Sequence, residues 1–349
     1  MSTQKRQFAV IFIAGLGSFL AWAQAPHAIE ASPVFHSESS LISVPFHVAR
    51  GRQYISDLKK EDVELLEDGH PADISFFEGG GGTERTPVEI GILFDTSGSM
   101  AIRGLLNPKL FQENLLDGLE GVRLVLYRFD EKLWRMTEPT RDVIVLKSAF
   151  DGIVKKKGGV EFRLLLRDKH RTVDAPGTSL IYESAYAALR DLARAEHSAA
   201  QLLVIVSDGI EEGLGIPEDA AVAGREGGIS VYPLLLGRQQ RLMELSDAGQ
   251  NGDTTQAKSR LTGLHVAENL ANNFVRLGPL TGGNSFEPSN LDSGNVRRIL
   301  QSLTGEVRSL YFAGIHPPET ATPHVHKLQI RLRSNAGLKL LGGERVVRY

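Results

Sequence analysis

The chain has 349 residues, of which 42% are hydrophobic and 23% charged, with a net charge of −3. Such a chain can bury a conventional core, has length for two domains, and offers no basic surplus for nucleic acid or an anionic membrane. It has no cysteine, which excludes disulfides, thiol chemistry and Cys-based zinc sites.

In chain order, Lys5 and Arg6 precede an apolar run from Phe8 to Ala23 that ends on Ala21-Trp22-Ala23. This is a secretory signal pattern over 1–23, with the cut expected after Ala23 because a cut after Ala25 would leave Pro26 at the new N-terminus. Gly15 and Gly17 interrupt the run, which is short for a membrane span, so the expectation is export to the periplasm or beyond rather than anchoring. Residues 34–78 then read as an N-terminal β segment. LISVPFHVA (41–49) is apolar and β-branched, DVELLEDG (62–69) ends on an Asp-Gly turn, and ADISFFEGG (72–80) follows. GGGGTERTP (79–87) has the composition of a linker.

From Val88 strands and helices alternate, the mark of a doubly wound, mostly parallel α/β sheet. Glu89–Phe94 reads as a buried strand that runs into Asp95-Thr96-Ser97-Gly98-Ser99, with Gly98 expected to allow a tight turn. Asn107-Pro108 opens a helix to about Leu119, 122–129 is a second strand, and 132–136 a short third. The stretch 150–175 carries Lys155, Lys156, Lys157, Arg163, Arg167, Lys169, His170 and Arg171, either a basic rim that selects acidic partners or a solvated face. APGTSL (175–180) precedes a helix over 179–196, and a strand at 201–207 ends in Ser207-Asp208-Gly209. A helix over 217–226, a strand over 229–237, a helix over 257–276, an edge strand at 282–288 and a helix over 290–305 complete this part. Residues 307–318, 326–333, 338–343 and 345–349 are strand-like again. Neither β end has enough strands to be stable alone, so 34–78 and 309–349 are expected to pair into one small sandwich-like module.

Carboxylates and hydroxyls converging at strand ends are hard oxygen donors, which suit a hard divalent cation and lie where open α/β sheets bind ligands. The set Asp95, Ser97, Ser99, Thr178 and Asp208 resembles the metal-ion-dependent adhesion site of von Willebrand factor type A domains. Residues 51–66 and the tail from 307 resemble segments that flank the domain in an exported bacterial subgroup of that family. The resemblance implies a Rossmann-like domain over 88–308. It also implies direct or water-mediated coordination of Mg2+ (with Mn2+ or Ca2+ as substitutes) by those five side chains. One coordination position would then be open to a carboxylate of a protein partner. Thr178-Ser179-Leu180-Ile181-Tyr182-Glu183 is one residue longer than the family's loop and has Glu for Asp. Binding rather than catalysis is expected, since Ser97 and Ser99 lack the Gly-x-Ser-x-Gly elbow and no Walker-type phosphate loop occurs. A metal-independent scaffold and a secreted metal-dependent hydrolase are the alternatives. His316, His324 and His326 read either as metal ligands or as an exposed turn, and Asp130 and Glu131 as residues of the crevice rim.

Overall fold

The structure is a computed structural model that describes residues 41–51, 53–79, 88–107, 110, 112–113, 122–164, 178–194, 200–250, 254–289, 292–317, 324–334 and 337–348. These lie in the unit Ser39–Tyr349. The signal, most of the linker, most of the helix expected at 107–119, and Arg167 to Arg171 fall outside the described residues.

The first strands are β1 (Ile42–Arg50), β2 (Gln53–Tyr54), β3 (Val63–Glu67), β4 (His70–Ala72) and β5 (Phe76–Gly79). β3 and β4 close on Asp68-Gly69 at φ 51° and 85°, the left-handed pair that an Asp-Gly hairpin turn supplies. Then come β6 (Val88–Asp95), α1 (Gly98–Ile102), β7 (Arg123–Phe129), β8 (Leu133–Arg135), α2 (Val143–Lys155) and β9 (Val160–Phe162). α3 (Ile181–Leu192), β10 (Ala200–Ser207), α4 (Pro217–Gly227), β11 (Ser230–Leu235), α5 (Arg238–Gln250), α6 (Thr255–Leu280) and α7 (Ser293–Arg308) follow. The chain ends in β12 (Tyr311–Ile315), β13 (Val325–Leu332), β14 (Leu338–Gly342) and β15 (Glu344–Arg348).

The central sheet has the order β11-β10-β6-β7-β8-β9, parallel from β11 to β7 and antiparallel from β7 onward. Its apolar runs are continuous because both faces are covered. Ile90, Ile92, Phe94, Leu124, Leu126, Leu202, Val204, Val206 and Leu234 point into one core with α2 and Leu303 of α7. Leu93, Val125, Tyr127, Leu203, Ile205, Val231 and Leu235 point into the other with α3, α4 and α6. Period-two alternation thus divides each strand between two helix layers. α2 buries Leu146, Ala149, Phe150 and Ile153, the i, i+3, i+4, i+7 stripe of one helix face, and Asp142 caps it by accepting from the Ile144 and Val145 amides. α4 starts on Pro217 and stops at Gly228 in the left-handed conformation.

Three helices, α1, α2 and α5, were not evident from the sequence. The edge strand expected at 282–288 is a single bridge, Phe286 to Leu234. Gly98 does not make a left-handed turn; it is the first residue of α1, with Ser97 in extended conformation before it.

The outer strands form two antiparallel sheets, β14-β1-β12-β5 and β15-β13-β3-β4, each of which joins strands from before and after the central sheet. They share a core of Val44, Phe46, Val48, Leu65, Tyr311, Ala313, Leu328 and Ile330, while Phe312 faces the first core of the central domain. A buried polar network crosses the same joint. His47 reaches the Tyr232 hydroxyl at 3.1 Å and the Ser309 hydroxyl at 3.3 Å, and Glu306 takes hydrogen bonds from Tyr54, Asn284 and Tyr232. Burial pulls the His47 imidazole down to about 4, so it is neutral here. No helix among the described residues is long and apolar enough to cross a membrane.

Candidate functional site

The parallel strands β6 and β10 are neighbours and end side by side, so Asp95 and Asp208 leave the sheet next to each other. Both carboxylates are fully buried. Asp95 is the hub. Its Oδ1 accepts the Ser97 amide at 2.8 Å, and its Oδ2 accepts the Ser207 hydroxyl at 2.6 Å and the Ser179 hydroxyl at 3.1 Å. Burial, and then the neighbouring Asp208 carboxylate, push Asp95 up to about 6.

Ser97 occupies the N-cap position of α1, yet its side chain makes no capping bond. Its Oγ lies 3.1 Å from Ser99 Oγ instead. Two adjacent ligands of an octahedral Mg2+ with bonds of about 2.05 Å are about 2.9 Å apart, so this spacing suits a shared cation. Thr178 is half-buried on the loop before α3. The next residue, Ser179, ties that loop to Asp95 by its hydroxyl and to the loop after Asp208 by its backbone, with Ser179 N to Glu212 Oε2 at 2.8 Å and Glu212 N to Ser179 O at 3.0 Å. The structure therefore brings the loops of all five expected residues to one crevice.

Several neighbours were not anticipated. Arg103, at the C-cap of α1, places Nη1 3.2 Å from Asp208 Oδ2. Arg241 is wholly buried, donates to the Asp208 carbonyl at 2.9 Å, and leaves Nε and Nη2 without hydrogen-bond partners. The only sequence signal for Arg103 is its place one helical turn past Ser99; Arg241 lies in a helix the sequence hid. Ser179 and Ser207 had a plainer signal, each being adjacent to an expected ligand. Asp130, expected at the rim, is buried, takes a 3.4 Å bond from Thr96 Oγ1 and pairs with Lys156 at 3.5 Å. Lys156 is thus tied beside the crevice, while Arg163 is exposed.

A second acidic pair supports the two loops from behind. Glu211 accepts the Tyr182 amide at 3.1 Å, and Glu183 is buried with one oxygen unpartnered. Desolvation, then the charge of Glu183, pushes Glu211 up to about 8. A carboxyl whose pKa rises from 4.5 unfolded to about 8 folded penalises the fold as pH climbs between those values. Stability is therefore expected to fall by about 2 kcal/mol from pH 6 to pH 8 through this group. Denaturant titrations across that range should show this fall as the difference between the wild type and Glu211→Gln, which lacks it.

Carboxylates and hydroxyls are the donor types a hard divalent cation takes, and the Ser97–Ser99 pair has ligand-edge spacing. The strand order, the antiparallel continuation past β7 and the loops at the carboxyl ends define an open α/β domain with clustered carboxylates and hydroxyls at those ends. This topology is the one the resemblance to von Willebrand factor type A domains implies, extended by the two outer sheets. Solved structures similar to the chain include the conserved hypothetical protein BatB from Bacteroides thetaiotaomicron, at 18% identity over 64% of this chain and 100% of that one, TM-score 0.42. A von Willebrand factor type A protein from Catenulispora acidiphila matches at 12% identity over 90% and 75% of the two chains, TM-score 0.40. Proximal thread matrix protein 1 from the mussel byssus, described with a zinc-occupied MIDAS motif, matches at 13% identity over 66% of this chain and 47% of its own, TM-score 0.40. No protein-family model and no curated protein matches the sequence.

Proposed function

We propose that the protein is an exported binding protein whose crevice holds Mg2+ (or Mn2+ or Ca2+) through Asp95, Ser97, Ser99, Thr178 and Asp208 and takes a carboxylate of a protein partner. The observation that carries this reading is the convergence of three loops on Asp95, with Ser179 and Ser207 bridging the other two loops to its Oδ2. When bound, the metal supplies an electrophilic position for an incoming acidic side chain. The chain's own residues do the rest. Ser179 and Ser207 hold the Asp95 carboxylate in one orientation, the Ser97 amide fixes its other oxygen, and the buried floor excludes water and strengthens charge-assisted contacts. Ser97 and Ser99 bond to each other rather than to a base, which favours coordination over nucleophilic attack.

Export rests on the signal pattern of residues 1–23, and the division into a domain over 88–308 and a β module from the two flanks belongs to the same proposal. A metal-independent scaffold is the second reading. It is favoured by Arg103 and Arg241, whose two positive charges oppose a divalent cation at Asp208. Calorimetric titration of Mg2+ into the wild type and into Asp95→Ala and Thr178→Ala separates the two.

A further inference from the structure

Glu67, Asp68 and His326 bring one ligand atom each to within 4.8 Å of one another in the second outer sheet, where the β3–β4 turn meets β13. His326 Nδ1 lies 3.0 Å from Glu67 Oε1 and 2.9 Å from Asp68 Oδ2. We propose that this trio is a second metal site, taking one borderline divalent cation of the Zn2+ class and clipping the two flanks of the chain together.

Geometry supports this first. Metal bonds of about 2.1 Å to nitrogen and oxygen set neighbouring ligand atoms about 3.4 Å apart in a tetrahedral site, so the two nitrogen-to-oxygen distances, now of hydrogen-bond length, need to open by only about 0.5 Å to admit the ion. A single imidazole nitrogen carries at most one proton, which can point along a straight hydrogen bond to one of these carboxylates, whereas a cation serves both at once. The ligands are also held. Asp68 Oδ1 accepts the Lys327 amide at 2.8 Å, and the Asp68 amide donates to the Lys327 carbonyl at 2.9 Å, so Oδ2 is aimed at His326 by the strand pairing itself. Such outer bonds orient metal-binding carboxylates. The Lys327 ammonium is directed to Glu344 Oε2, 3.3 Å away, rather than to the trio.

Donor chemistry selects the metal. One imidazole with two carboxylates suits Zn2+ and its first-row neighbours better than Mg2+, which prefers oxygen alone. Placement suggests what the clip does. Asp68 and His326 are 258 positions apart, and a link between them closes that loop. A chain without cysteine cannot make such a link by a disulfide.

The test uses the full chain carrying Asp95→Ala, which removes the crevice as a competing site. Zn2+ titration by calorimetry, with Co2+ absorption as a second readout, is expected to show one saturable equivalent. Adding either His326→Gln or Asp68→Asn should weaken it at least thirtyfold and abolish the Zn2+-dependent rise in unfolding temperature. Circular dichroism of each variant is the check that it stays folded. Absence of a saturable equivalent in the Asp95→Ala chain, or equal binding in both double variants, overturns the proposal without touching the crevice reading.

Discussion

Replacing Arg103 with Met should tighten Mg2+ binding about tenfold, a change of about 1.4 kcal/mol. The guanidinium sits 3.2 Å from Asp208 Oδ2, and Asp208 itself is fully buried. A cation entering the crevice must break that ion pair and then share the site with the displaced positive charge. Removing the charge abolishes both costs. The same substitution leaves a buried carboxylate without its partner, so the metal-free variant should unfold more readily than the wild type. The two effects have opposite signs. A purely structural ion pair would lower stability with and without Mg2+ and leave affinity unchanged. Calorimetric affinity read beside melting curves with Mg2+ and with chelator decides the matter, and Arg103→Lys should fall between the two.

The second large effect belongs to the joint between the central domain and the outer sheets. Gly282 has φ 80°, and a Cβ built there would stand 2.3 Å from the Gly342 Cα at the end of β14. Backbone meets backbone, so no side chain can yield. Gly282→Ala combines left-handed strain with a forced separation of the two layers and should cost about 2–4 kcal/mol, lowering the melting temperature by roughly 3–6 °C. Gly337 is the control. Its φ is 71°, but a Cβ there meets nothing within 4 Å. Gly337→Ala should therefore cost only about 1 kcal/mol, the strain alone. Equal losses in the two variants would mean that the close approach contributes nothing.

How far the sequence carried these conclusions depended on which physical signal each element used. The buried strands were legible because a sheet covered on both faces needs unbroken apolar runs, as in Ile90 to Phe94 and Leu202 to Val206. The three loops were legible because oxygen donors follow those runs directly. α2 was hidden by Val143, Ile144 and Val145, a β-branched start that reads as a strand and is in fact partly exposed. Its true marker was the fourfold stripe from Leu146 to Ile153. α5 was hidden because only Arg241 and Ala248 of its side chains are buried, which leaves almost no apolar period to detect. Arg103 and Arg241 were invisible for a different reason. A charge's partner across the fold is set by packing, and no local spacing encodes it. The same holds for His326, whose strand position was legible and whose carboxylate neighbours were not.

The central claim is that the crevice binds a divalent cation through its five oxygen-bearing side chains. Mg2+ titration calorimetry on the wild type, Asp95→Ala and Thr178→Ala tests it most directly, with Mn2+ as a second ion. One saturable equivalent in the wild type, at least about tenfold weaker in each variant, is the predicted result. No saturable uptake of either ion by the wild type, or uptake unchanged in both variants, would contradict it and leave the metal-independent scaffold as the reading of this fold.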